Sequence, residues 1–502
     1  MHRRNQDSPC EDDGEIRSSR GCIMTQSIRT RTAPTALLAA ALAGCTTVGP
    51  NYRPPETQLS EAWVSPVSSE AVDGMWWQRF DDPLLAELVD AAIADNKDIE
   101  EAGARLREAR ANRDAVYGRE LPQAGVSAIA TQSRLSENGQ LPVGKVPGLG
   151  RNLAIYDVGF DASWEIDLWG GTRRAIESSE ARAEAAEEAR RGVILQVIAE
   201  VVRAYIDLRT AQALRSNAVA DAEAQAGIAR LVGDRLRVGA ASRVDYLRAE
   251  TQARSTAAAI PAYEGDEAAA AFRLALLVGQ PPEALHARLR QPAPMPAADF
   301  DVAAGLRSDL LRRRPDVRLA ERDLAASTAD IGVATAELFP RLSLIGGIGL
   351  QARRPGDLPS DSSLRFQVGP SLRWPIFSGG RIRAQIRAAD ARADAASARY
   401  ERAVLAALAD SETSINRFAA AGFVAAERAA AQTAAAEAVE LARRRYRAGE
   451  EDLTALLQAQ IAYSAADRFH IQAKSGRLQQ LAALYKALGG GWEATEGKGS
   501  PR

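Results

Sequence analysis

At 502 residues the chain could hold several domains. Its 63 Lys and Arg against 65 Asp and Glu leave a formal charge of −2 and a pI near 6.1, which gives no basic footprint for a nucleic-acid partner. A mean hydropathy of −0.23, with one short apolar run, excludes a polytopic helical membrane protein, so any spanning structure must be β.

The first readable element begins at Met24. Arg29 and Arg31 precede the apolar run Ala36–Ala43, and Leu42-Ala43-Gly44-Cys45 sets small residues before a cleavage point, with a cysteine where bacterial lipoproteins carry their acyl chains. The run is too short to span a bilayer. Residues before Met24 are polar and charged, which puts the expected start at Met24 and removes Cys10 and Cys22. Residues 1–44 then read as a lipoprotein signal, and a mature chain beginning at Cys45 would carry its lipid on its only cysteine, leaving no disulfide or thiol chemistry. Thr46 follows it; in bacterial lipoproteins the absence of Asp there favours the outer membrane.

An extended N-terminal segment, 45–82, leads into a helix expected at Pro83–Arg119 and then into strands expected at Leu121–Thr131 and Tyr156–Leu168. From Tyr156 the even positions are Tyr156, Val158, Phe160, Ala162, Trp164, Ile166 and Leu168, while Asp157, Asp161, Glu165 and Asp167 stand among the odd ones. One face is apolar and the other acidic, the period-two pattern of a sheet between unlike solvents. In that alternation the acids line a polar lumen rather than a metal or catalytic cluster.

Between Gly171 and Val238 there is no proline, and Ala, Glu, Arg, Leu and Val dominate; such a helix could reach on the order of 100 Å and would need neighbours to persist. Arg235 and Arg237 occupy its last turn, Gly239 sits where a left-handed residue ends a helix, and Ser242 stands ready to cap the next, with Ser242-Arg-Val-Asp245 reading as a capping box. Gln291–Pro296 reads as a linker.

The plan then repeats. A helix at Ala303–Leu338, strands at Phe339–Leu350 and Phe366–Ile376, a helix over Arg381–Ala448 and a turn at Gly449 with Asp452 in the place of Ser242 follow in order. Trp164 and Trp374, Gly239 and Gly449, and Gly279 and Gly489 are each 210 apart, and Gly170-Gly171 matches Gly379-Gly380 at 209. This is a tandem duplication of two repeats, 83–300 and 301–491, followed by a flexible tail, 492–502. Each repeat is a two-strand membrane hairpin with long coiled-coil-like helices. The run Arg312-Arg313-Arg314-Pro315-Asp316 reads as a solvated helix entry, and Trp76-Trp77 as an anchoring contact for the N-terminal segment. Four strands cannot close a barrel, since the smallest have about eight, so two or three chains must pool their strands.

These residues resemble a known family. Cys45-Thr-Thr-Val-Gly-Pro-Asn-Tyr-Arg-Pro-Pro, Trp76-Trp77 with Phe80 and Asp82-Pro83, Ser163-Trp-Glu-Ile-Asp-Leu-Trp-Gly, Leu311-Arg-Arg-Arg-Pro-Asp-Val, Phe339-Pro-Arg-Leu-Ser-Leu and Trp374-Pro-Ile-Phe-Ser-Gly-Gly closely resemble the NodT/OprM-type outer-membrane efflux lipoproteins, relatives of TolC. The resemblance runs from Cys45 to about Gly491. It implies an α+β membrane protein, a homotrimer with a 12-stranded β-barrel in outer-membrane lipid and a periplasmic α-helical tunnel. It also implies a periplasmic adaptor (membrane fusion protein) docking at the tips Gly239, Ser242, Gly449 and Asp452, and an inner-membrane transporter of the RND type. Tyr446 matches a tyrosine that latches neighbouring helices in the family. The positions of the family's acidic rings read Ala455 and Gln458, and its latch arginine reads Glu451, which leaves Asp245 of the first repeat as the candidate constriction carboxylate.

Such a duct needs no catalytic site and no cofactor beyond the lipid on Cys45. The chain has no GxxxxGK[ST], no paired CxxC and no HExxH, and His286 and His470 stand isolated. A type I secretion duct and a structural periplasmic coiled-coil lipoprotein are the alternatives; the second leaves the strands idle.

Overall fold

The computed structural model describes residues 47–493 except 56–59, 61, 66–69, 71, 139–149 and 298–303. The signal, Met24 and Cys45 lie outside the described residues. The helices are α1 (Pro83–Asp95), α2 (Lys97–Tyr117), α3 (Gly171–Arg237), α4 (Arg243–Ala257), α5 (Ile260–Leu277), α6 (Pro282–Leu289), α7 (Leu310–Arg313), α8 (Pro315–Ala336), α9 (Arg381–Ala448) and α10 (Leu453–Ala487). Strands β1 (Gln123–Arg134), β2 (Asn152–Ile166), β3 (Arg341–Ala352) and β4 (Leu364–Arg373) form one antiparallel sheet in the order β1-β2-β3-β4.

The two long helices, α3 and α9, start where they do because Gly170 and Gly380 hold left-handed backbone just before them, φ 77° and 84°. That makes Gly170 the counterpart of Gly380 and restores the 210 spacing, correcting the 209 pairing read from the doublets. Each shorter helix expected as one piece is broken. Asn96 leaves helical geometry and splits Pro83–Arg119 by capping α2: its Oδ1 accepts from the Asp98 and Ile99 amides, while its Nδ2 donates to the Leu277 carbonyl at 2.8 Å. The helix returning from the first tip breaks ahead of Pro261, which has no N–H to give the preceding turn, whereas α10 is continuous.

The main core sits midway along the helices, where α1, α3, α5 and α10 converge on Trp76 and Trp77. Both indoles are buried. Trp76 stacks on Tyr485 at 4.9 Å between centroids and donates to the Gly490 carbonyl at 3.2 Å. This ties the N-terminal segment to the end of α10. Farther toward the sheet, the Val48 amide donates to the Trp169 carbonyl at 3.0 Å, and the buried Arg174 of α3 donates to the Val48 carbonyl at 3.1 Å and to Asn51 Oδ1 at 2.6 Å.

The arginine run is a solvated helix entry only at Arg312, whose side chain is 80% exposed. Pro315 and Asp316 do open α8, but Arg314 is nearly buried, holding Asp316 and Asp410 and donating to the Ala487 carbonyl at 2.8 Å. Arg313 reaches the Val72 carbonyl at 3.1 Å and Glu493 at 2.8 Å. Charge-assisted bonds to three chain segments make Arg313 and Arg314 a clamp across the core.

Candidate functional site

Two regions carry the candidate residues: the faces of the sheet and the hairpin tips. In the sheet, Val126, Phe160, Ile348 and Phe366 lie in one rung across all four strands, and in the isolated chain they are 69, 65, 53 and 76% exposed. Trp164, Leu344 and Pro370 form another rung on that side. An apolar face this extensive marks a membrane or partner surface rather than one made for water. Each half fastens its sheet to the preceding helix in the same way. The Trp164 indole donates to the Glu120 carbonyl at 2.8 Å, and the Trp374 indole to the Leu338 carbonyl at 3.1 Å.

The other face carries the acids, and they are not equivalent. Asp157 takes a forked pair of bonds from Arg365, one of them 2.8 Å from Nε, and a 2.7 Å bond from Gln351. Arg365 stands on β4, two strands away, and reaches Asp157 across β3. It can do so because Gly349 and Gly159 leave the lane between them without side chains; a Cβ on Gly349 would lie 2.5 Å from the Val158 carbonyl oxygen. Asp161 accepts from the Ser127 hydroxyl at 2.8 Å, and Glu165 is exposed on the same face. Asp167 departs from the expected strand. β2 ends at Ile166, and the Asp167 carboxylate accepts from the Arg173 amide at 2.9 Å, closing the first turn of α3 where an anion suits the helix N-terminus.

The two tips share one construction. Gly239 and Gly449 have φ 77° and 80°, and in each turn a pair of bonds closes the helix: Ala240 and Gly239 amides onto Arg235 and Leu236 carbonyls, Glu450 and Gly449 amides onto Arg445 and Tyr446 carbonyls. Ser242 and Asp245 form the capping box, with Asp245 N to Ser242 Oγ at 3.1 Å and the Ser242 amide to the Asp245 carboxylate at 3.3 Å. The Ser242 hydroxyl also donates to the Asp245 carboxylate at 2.7 Å, and with the amide bond it holds that carboxyl below its usual range. Asp452 caps α10 through the Ala455 amide at 2.8 Å.

Tyr446 is buried in a small apolar cluster with Ile228, Val232, Leu453 and Leu456. The Arg235 guanidinium lies 4.5 Å from its ring centroid and donates to its carbonyl at 3.2 Å, which bridges the two tips. Sequence reasoning placed Arg235 only as a charge at a helix end. Its bridging role follows from the side-by-side tips, and the one signal for it was its equivalence to Arg445. Glu451 is paired with Arg445 at 3.2 Å, so no arginine occupies that place.

A family model described as outer membrane efflux protein matches residues 88–280 and again 306–490. The pyoverdine export outer membrane protein OpmQ of Pseudomonas aeruginosa is 31% identical, covering 84% of this chain and 88% of its own. The outer membrane protein OprJ of the same species is 32% identical, covering 91% and 95%. Nodulation protein T of Rhizobium leguminosarum bv. trifolii is 31% identical over 90% and 95%. Among solved structures, the outer-membrane channel OprN superposes with a TM-score of 0.82 at 38% identity, over 89% of this chain and 100% of that one.

Proposed function

This chain belongs to the outer membrane efflux protein family, and we infer from that premise that it is the exit duct of a tripartite efflux pump. It is an outer-membrane channel with its helices in the periplasm, and it passively conducts small molecules delivered from below. The observation that carries the reading is the sheet. One face is apolar and exposed through rungs that run across all four strands, the other is polar, and among the described residues β1 and β4 are the edges of the sheet. An open edge cannot stand in lipid. The strands alternate in direction, so β4 of one copy can continue antiparallel onto β1 of the next, and head-to-tail addition of this kind gives a ring when the rotation between copies closes. We propose a homotrimer of two-repeat chains, with about twelve strands closing the barrel.

In this reading Asp161 and Glu165 present charge to the lumen, while Asp157 is neutralised by Arg365 and Asp167 serves the helix. Tyr446 with Arg235 latches the tips, and Asp245 caps α4 at the mouth beside them. The turns Gly239–Ser242 and Gly449–Asp452 offer the adaptor its docking surface, and the energy comes from an inner-membrane transporter of the RND type. Relatives named for pyoverdine export and nodulation suit a passive duct whose cargo is selected elsewhere.

Purified protein in planar bilayers is expected to give discrete conductance steps, and native mass spectrometry in mild detergent to count three chains. A stable monomer without conductance would overturn the duct. Cys45 is proposed as the lipid anchor: Cys45→Ser is expected to lose all incorporation of labelled palmitate and to accumulate precursor, and normal labelling of that variant removes the anchor from the account.

A further inference from the structure

The flanks that meet in the trimer can be read to the level of single residues, an inference that rests on the trimeric reading above. From the level of the main core toward the tips, α3 packs between α5 and α10, and α10 between α3 and α9, so among the described residues α5 and α9 stand at the two ends of this row, with α6 against part of α5. Height along this row is fixed by bonds between helices. Asn217 of α3 and Gln432 of α9 both donate to the Asp467 carboxylate of α10, at 2.6 and 3.2 Å, so these three residues share a level. Gln212 of α3 donates to Glu267 of α5 at 3.2 Å, which ties α5 to the same scale. Both long helices run in the same direction. Climbing from Gln432 toward the sheet by two and a half turns, about 13 Å, reaches Phe423. The same climb from Asn217 reaches Leu208, beside the turn Ala269–Phe272 of α5.

The free faces are complementary at that height. Phe423 is 70% exposed, and Ala419 and Ala420, one turn nearer the sheet, are exposed small residues on the same flank. On α5 the order is reversed. Phe272 is exposed nearer the sheet, with one face of its ring against His286 at 5.8 Å, and the exposed Ala269 lies one turn nearer the tip. Rotation about a channel axis moves a copy sideways without changing its height. A cyclic neighbour therefore delivers each large ring opposite the other flank's small residues.

We propose that Phe423 of one protomer packs on Ala269 of the next, while that neighbour's Phe272 packs on Ala419 and Ala420 of the first. The two rings form an interlocked seam that sets the vertical register of the helical tunnel. Interdigitation of large with small residues is what gives facing helices a single register.

The test is crosslinking with a short bismaleimide in the full-length protein. Ala269→Cys combined with Phe423→Cys is expected to give covalent dimers and trimers on a denaturing gel. Ala269→Cys combined with Ala434→Cys, about 16 Å lower on α9, is expected to give none, as are the single variants. Equal crosslinking by both pairs overturns the seam. So does failure of the first pair while native mass spectrometry of the same double variant still counts three chains. A wild-type protein that is itself monomeric overturns the trimer instead, and the seam with it.

Discussion

Gly349→Val is expected to abolish assembly of the proposed barrel, while Gly346→Val on the same strand leaves it nearly intact. The two glycines are three residues apart on β3 and point to opposite faces. At Gly346 the nearest atom to an added Cβ is the Gln367 carbonyl oxygen at 3.8 Å, an ordinary contact, and the new side chain joins the apolar face. At Gly349 an added Cβ falls 2.5 Å from the Val158 carbonyl oxygen and 2.7 Å from the Gly159 Cα. Both are backbone atoms of the paired strand and cannot swing aside. Overpacking of this kind costs about 1–3 kcal/mol or more, and the valine also closes the lane through which Arg365 reaches Asp157. Leaving that carboxylate without its partner adds to the loss. In the proposed ring every chain would carry the defect, so the yield of folded oligomer in outer-membrane fractions should fall at least about tenfold. Gly349→Val protein recovered at wild-type yield, with wild-type conductance, would show that the sheet bends to accept the side chain and that the glycine lane is dispensable.

The contrast between these glycines marks where the sequence was readable. Alternation identified all four strands because each residue's face is decided by its neighbours along the chain. The bounds of α9 came out as expected because glycines mark both of its ends. β2 instead begins at Asn152, earlier than its apolar pattern, since backbone pairing with β1 continues past the last alternating residue. Asn96 was illegible as a break because an asparagine in a charged helical run looks like any surface position until its partner, the Leu277 carbonyl, is in view. The site residues divide in the same way. The capping box at Ser242 and Asp245 is local and was foreseen. The Arg365 link to Asp157 spans 208 residues of sequence and needs the strand order before it can be seen. Arg235 over Tyr446 spans 211 and needs the two tips side by side. Arg314 was misjudged because a run of three arginines predicts exposure by composition, and only the packed end of α10 supplies the carbonyl that draws it in.

Gly449→Val should destroy efflux in a strain dependent on this protein without preventing export or formation of the proposed trimer. Gly449 holds φ 80° at the end of α9, and among the described residues nothing stands within 4 Å of an added Cβ, so the damage comes from the backbone and not from crowding. Left-handed geometry costs a residue with a Cβ roughly 1–2 kcal/mol, and a branched one fits it worse. The turn relaxes by giving up the bonds from the Gly449 and Glu450 amides to the Tyr446 and Arg445 carbonyls. Tyr446 is the residue over which Arg235 lies, so unwinding here releases the bridge between the two tips along with the docking surface. The sheet lies beyond the far end of α9, which is 68 residues long, and has its own pairing, so membrane insertion should be untouched. Gly239→Val strains the companion turn in the same way but leaves the Tyr446 carbonyl bonded within its own helix, so its efflux defect should be the milder of the two. The measurement is drug accumulation together with crosslinking to a co-expressed adaptor. Wild-type efflux and crosslinking in both variants would reduce the turns to chain reversals and remove the tips from the docking account.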